Sequence, residues 1–304
     1  MGYFKYMALD RWACLRRHQR IRFTQPGAFN DPFEMPAFKA AEAEAQRAAG
    51  LAGLTAQTAE ILGNLSQGHI PSAAFVPPIS YFLGTTPTAS EAKPLPSEKA
   101  IEKIKMIDQI FGILSLSMTP DNLQLWAHYA SEHHGVAVEI DPSDLEFNRH
   151  TVKDGNFERA GRVKYSTIRP AIPESDEILL EHFFVKSPEW SYEQEYRIVR
   201  KFESALETKD EQPYPIHLYA LPASAVRKII FGVRVTAEQR QATIGETKAD
   251  PAFAHVRFAQ ADLDPAEFKV DIRDLDPDGL PQSLEHNLEP PSRVFGNDSA
   301  AAKS

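Results

Sequence analysis

A single cysteine, Cys14, leaves no partner for an intramolecular disulfide, and no CxxC pair exists. Disulfides belong to oxidising compartments, so a reducing, cytoplasmic setting is expected. Long apolar runs are missing too. The stretch IFGILSL at 110–116 falls far short of the roughly 20 residues a membrane helix needs, so no membrane partner is expected. The opening MGYFKYMALDRW is too polar for a signal-peptide core, and Tyr6 stands where myristoylation wants Ser or Thr. A net charge of −9 argues against a general nucleic-acid coat, whose affinity comes from clustered Lys and Arg. Neither a phosphate-loop GxxxxGK[ST], a GxSxG elbow nor an HExxH is present, so three familiar routes to an activity are closed.

What is present suits a soluble α+β domain. With 304 residues, 42% apolar and 25% charged, the chain can bury a sizeable core. YFKYM reads as a strand, DRWACLRRHQR as a helix with Asp10 at its N-cap, and RIRFTQP as a second strand. Arg11, Arg16, Arg17, Arg20 and Arg22 crowd this segment and could form a local anion site. FNDPFE follows with turn chemistry, since Asn30 and Asp31 can bond their own backbone.

Residues 37–110 change character. Ala- and Glu-rich stretches of high helix propensity flank a proline-rich run, which reads as a mostly helical insertion. GILSLSM is then a strand whose Ser115 and Ser117 share a face. TPDNLQLWAHYASEHHG reads as a helix capped by Thr119, ending near Gly135, with Leu123, Trp126, Ala127 and Ala130 buried. VAVEID, RVKYS, YRIVRKF, KIIFGVRV and HVRFAQ alternate as strands, with TAEQRQATIGET a helix before the last. The expected architecture is a mixed, mainly antiparallel sheet with flanking helices and a helical insertion. Residues 1–36 and 111–270 would form one core domain, and 271–304 a mobile tail.

The sharpest local signal is WSYEQEYRIV, 190–199. Read as one strand, it puts Glu193, Glu195 and Arg197 on one face. That face is either the solvated side of a strand or the floor of a site. As a site it could stabilise a positively charged sugar during glycosyl transfer, hold Mg²⁺ or Mn²⁺, or recognise a partner. His128, His133 and His134 diverge on their helix and read as a helix end rather than a tetrahedral zinc site. No metal is expected. His128, beside Trp126 and Tyr129, could join a polar cluster with Ser115 and Ser117.

Taken in order, FKYM, RIRFTQPGAFNDPFE, LSLSMTPDNLQLWAHYASEHHGVAVEID, VKYS and KSPEWSYEQEYRIV resemble a bacterial family catalogued as domain of unknown function 2971, over roughly 3–35 and 111–235. The layout is also similar to that of ADP-ribosyltransferases of the bacterial toxin type. That resemblance implies NAD as substrate, Glu195 as the catalytic carboxylate with Glu193 assisting, and Arg197 or the early arginines at the pyrophosphate. Lys5 or Tyr6 would stand on the first strand and Ser115 and Ser117 on a later one, although SLS departs from the STS of that pattern. Tyr129, Tyr165 or Trp190 would stack on nicotinamide, and Asn30, Asp31, Trp126 and His128 would complete the binding surface. The implied protein is a toxin or phage-defence effector with a protein or nucleic-acid acceptor. The alternatives are a metal-dependent nuclease using Asp31, Glu34, Glu193 and Glu195, or a non-catalytic binding module.

Overall fold

The computed structural model describes residues 2–31, 98–148, 158–168, 170, 180–276 and 279–280. Positions 37–97 of the expected insertion, and nearly all of the expected tail beyond Asp276, lie outside these residues.

β1 (Phe4–Met7) leads into α1 (Leu9–His18) and β2 (Arg20–Phe23). After α2 (Glu98–Ile110) come β3 (Phe111–Ser117), α3 (Leu123–Tyr129) and β4 (Val136–Ile140). Next are β5 (Glu158–Arg162), β6 (Lys164–Tyr165), β7 (Val185–Lys186) and β8 (Glu195–Lys201), followed by β9 (Glu207–Lys209) and β10 (Ile216–Ala220). β11 (Val226–Phe231), α4 (Ala237–Lys248), β12 (Arg257–Leu263) and β13 (Val270–Asp274) complete the order. The main sheet runs β13-β12-β11-β4-β1-β3-β8-β5, with small sheets β2-β10-β9 and β6-β7. Within the main sheet β11 and β12 are parallel, joined through α4, and the other neighbours are antiparallel. This is the α+β, mainly antiparallel architecture that the strand patterns imply.

Alternation decides which face each strand buries. Leu114, Leu116, Val138, Ile198 and Ile229 pack with Trp12 and Leu15 of α1 and Phe23 of β2. On the opposite face stand two separate apolar clusters. One gathers Phe4, Tyr6 and Ala137 around Trp126 of α3; the other gathers Ile113, Val199 and Phe183 around Ile107 of α2. The polar residues of interest lie between them.

Several boundaries differ from the sequence reading. α1 starts at Leu9 behind Ala8, and Asp10 sits in its first turn, where a carboxylate suits the helix dipole. α3 is capped by Asn122, not Thr119: the Asn122 side chain accepts from the Gln124 and Leu125 amides at 2.9 and 3.0 Å. The later start turns Leu123 outward, 43% exposed, and brings Leu125 inward. The helix stops at Tyr129 rather than near Gly135, because Ser131, Glu132 and His133 take left-handed angles, with φ of 48°, 52° and 72°. At the C-terminal side, Val270–Asp274 is an edge strand rather than the start of a tail. Val270 and Leu275 are buried there, and pairing with β12 stabilises the strand.

Asn122 has a second task, because its Nδ2 donates to the Tyr192 carbonyl at 3.2 Å, tying α3 to the turn before Glu193. Asn122→Ala should lower stability by about 1 kcal/mol, the usual cost of a lost cap. Asn122→Asp keeps the cap and should lose less. Urea midpoints would check this ordering, and equal losses would mean that capping is not what stabilises the helix start.

Candidate functional site

The segment 190–199 is not one strand. Pro188 opens a 3₁₀ turn, Pro188–Glu193, and Gln194 takes a left-handed conformation (φ 44°) before β8 begins at Glu195. Even so, Glu193 and Glu195 reach the same side. The idea of a solvated face fails on burial: Glu193 is 5% exposed, Glu195 4% and Arg197 0%. Tyr196 and Ile198 face the other way, against the core.

Strand order brings the serines to this segment. β3 and β8 pair along their length, with Ser115 opposite Arg197 and Ser117 opposite Glu195. β1, by contrast, meets β3 at one pair, Phe4 with Ser117, while it pairs with β4 over its whole length. At the other end of β3, Ile113 exchanges two backbone hydrogen bonds with Thr24, just past β2. The sheet therefore opens between β1 and β3, and a cavity of about 310 Å³ occupies the gap. Its walls include Lys5 and Tyr6 of β1, Ser115 and Ser117 of β3, Phe29 and Asn30, Tyr129, Lys186, Glu193 and Glu195. That volume is at the low end for a small-molecule site.

The charges are closely organised. Arg197 donates from Nε and Nη2 to the two oxygens of Glu195, each at 2.8 Å, and from Nη1 to the Phe183 carbonyl at 2.8 Å. Lys186 donates to Glu193 at 2.6 Å and lies 3.4 Å from Glu195. Tyr129 donates to the other oxygen of Glu193 at 2.8 Å and accepts from Asn30 at 3.2 Å. Ser115 gives Glu195 a further side-chain hydrogen bond. A carboxylate offers about four lone-pair sites. Glu195 accepts from both Arg197 nitrogens, Lys186 and Ser115, whereas Glu193 accepts from Tyr129 and Lys186.

Burial sets the titration of this cluster. It pushes the Glu195 carboxyl above its ordinary range, although Lys186 and Ser115 favour the anion. It works against the Lys186 ammonium too, but Glu195 and Glu193 outweigh it and hold that pKa above the ordinary lysine value. Arg197 is pushed down to about 9 by burial, with Asp31 pulling the other way, and so stays a cation at neutral pH. Burial, then the Glu193 charge, raises the Tyr129 phenol, which remains a proton donor.

Not every expected residue reaches the cavity. Arg197 lies behind it, under the Phe29 ring at 5.4 Å, and buried Asp31 is among the charges that act on it. Trp126 is fully buried: its indole donates to the Pro120 carbonyl at 2.8 Å and its ring meets Tyr6 edge-on at 5.1 Å. Such a residue supports the wall and cannot stack on a ligand. His128 is exposed and points away from the cavity, since it falls on the outer side of α3. Tyr165 accepts from the Glu195 amide at 2.9 Å, behind the lining. Trp190 packs against the Lys186 ammonium at 4.7 Å rather than lining the cavity. None of Arg11, Arg16, Arg17, Arg20 and Arg22 lines it; Arg16 pairs with Glu246 at 2.8 Å, and Arg20 pairs with Glu207.

Lys186 and Phe29 are among the site residues that the sequence reading missed. Charge balance could have found the first. Two buried carboxylates beside one arginine call for a second cation, and Lys186 stands seven residues before Glu193. Among the described residues no group of three or more His, Cys, Asp or Glu gathers to hold a metal ion, and Glu34 lies outside them.

Fold and site together define an α+β protein with a cavity lined by buried, paired charges at an opening in its sheet. A family model described as "Protein of unknown function (DUF2971)" matches residues 125–198, which run from α3 into β8 and carry Tyr129, Lys186 and all three charged residues of the 190–199 segment. No curated protein and no solved structure matches the chain. No helix among the described residues is long and apolar enough to cross a membrane.

Proposed function

We propose that the cavity is a glycosyl-transfer site and that the chain is an ADP-ribosyltransferase-like enzyme with NAD as substrate. The observation that supports this reading best is Glu193, a buried carboxylate on the cavity wall with acceptor sites to spare. Tyr129 and Lys186 hold it in place, so a ribose hydroxyl entering the cavity meets an oriented anion. Negative charge there stabilises the positive charge that develops on the ribosyl ring as nicotinamide leaves. Glu195, with its acceptor sites filled by Arg197, Lys186 and Ser115, is a positioning residue in this scheme. The catalytic role first expected of Glu195 thus passes to Glu193. Tyr129 and Phe29 supply aromatic surface at the cavity, which takes one nucleoside-sized half of the dinucleotide rather than the whole. A toxin or phage-defence effector acting on a protein or nucleic acid is the role this chemistry implies.

Titrating the purified chain with NAD tests the reading. Binding to the native state alone stabilises it by about 2.7 kcal/mol at a hundredfold excess over Kd, so the melting temperature should climb with NAD. Free nicotinamide should accumulate in the same samples. An unmoved melting curve together with no nicotinamide would sink the proposal.

A further inference from the structure

The two lysines of the cavity differ in a way that glycosyl transfer does not use. Lys186 is paired with two carboxylates and stacked on Trp190. Lys5 has no ion pair among the described residues; its Nζ donates to the Ser115 main-chain carbonyl at 3.0 Å. It stands where β1 parts from β3, between Phe4 and Tyr6, and opens onto the same cavity as Phe29, Ile113 and Leu125. Glu195 and Glu193 line the same cavity and act on the Lys5 ammonium, but neither forms an ion pair with it. Burial lowers the Lys5 pKa from its ordinary value, assisted by Arg22, more than Glu195 and Glu193 raise it. A lysine amine becomes a nucleophile when apolar surroundings keep it from protonating.

We infer that Lys5 is a reactive amine that condenses with the carbonyl group of a small aldehyde or open-chain sugar held in the cavity. The nitrogen lone pair adds to the carbonyl carbon, and the C=O electrons pass to oxygen. The oxygen then leaves as water with the two amine protons, so the products are an imine and one water. No oxidant or reductant takes part. A hydroxylated substrate fits, because Glu193 accepts hydroxyl hydrogen bonds on the same wall. The trapping assay contains no NAD, so carbonyl condensation at Lys5 and the NAD reading can each fail alone.

The test uses the full chain, ribose 5-phosphate as the carbonyl probe, and cyanoborohydride to trap any imine as a stable secondary amine. Peptide mass mapping then compares Lys5 with the exposed Lys164 and Lys209 in one sample. Lys5 should label faster than both, because burial leaves more of it as free amine than an exposed lysine has. Lys5→Arg should abolish that adduct and leave labelling at Lys164 and Lys209 unchanged. If Lys5 labels no faster than the two exposed lysines, or not at all, the inference is overturned. Because the comparison is internal to the wild-type chain, it stands even if the arginine variant fails to fold.

Discussion

Arg197→Met is expected to destabilise the fold by about 3–5 kcal/mol, the cost of removing one partner from a buried ion pair. Arg197 is 0% exposed and makes hydrogen bonds to both oxygens of Glu195 and to the Phe183 carbonyl. Without it, Glu195 keeps its charge in the interior with only Lys186 at 3.4 Å and the Ser115 hydroxyl to compensate. The Phe183 carbonyl loses its donor as well. Arg197→Lys should fail nearly as badly, because an ammonium cannot reproduce the planar fork. The double variant Arg197→Met with Glu195→Gln should recover a large part of the loss, since it removes the uncompensated charge. Urea unfolding of the three variants measures this. A single-variant loss below about 1 kcal/mol would place the pair among solvent-screened ion pairs, contrary to its burial.

The second large effect separates the two carboxylates. Glu193→Gln should lower nicotinamide release by roughly 10²–10³-fold, the loss typical of removing one preorganised electrostatic contact. Its fold should survive, because Lys186 keeps Glu195 as a partner and Tyr129 can still donate to the amide oxygen. Glu195→Gln should behave differently, with stability falling first, because fully buried Arg197 loses the carboxylate that accepts two of its hydrogen bonds. Thermal melts and nicotinamide release on both variants distinguish the roles. A folded but inactive Glu195→Gln beside an active Glu193→Gln would return the catalytic role to Glu195. NAD binding with full activity in both variants would remove the carboxylates from the chemistry altogether.

Much of the fold is legible in the residues themselves. Period-two alternation in RIRF, VAVEI and EYRIVRK selects strands, and each buries the face that its apolar residues occupy. Thr236 with Gln239 marks the start of α4, and the structure completes that capping box on both sides. Caps compete locally, however, which is why Asn122 displaces Thr119 and Ala8 precedes a helix whose Asp10 lies within the first turn. The edge strand β13 is harder to see. Its pattern is weakly apolar, and pairing with β12 rather than intrinsic preference stabilises it.

By itself the sequence determined which residues carry charge in the 190–199 segment, that Ser115 and Ser117 share a strand face, and that the chain forms an α+β sheet protein. These are consequences of residue type and spacing alone. Tertiary structure decided everything that depends on which strands are neighbours. It set β3 beside β8, so that Ser115 meets the Glu195 carboxylate and Ser117 the Glu193 main-chain carbonyl, and parted β1 from β3 to open the cavity. It brought Lys186 onto Glu193 through the turn at Pro188, and it buried a face that alternation alone would have left to solvent. Strand order is fixed by packing between segments far apart in the chain, and no local pattern of side chains encodes that distance.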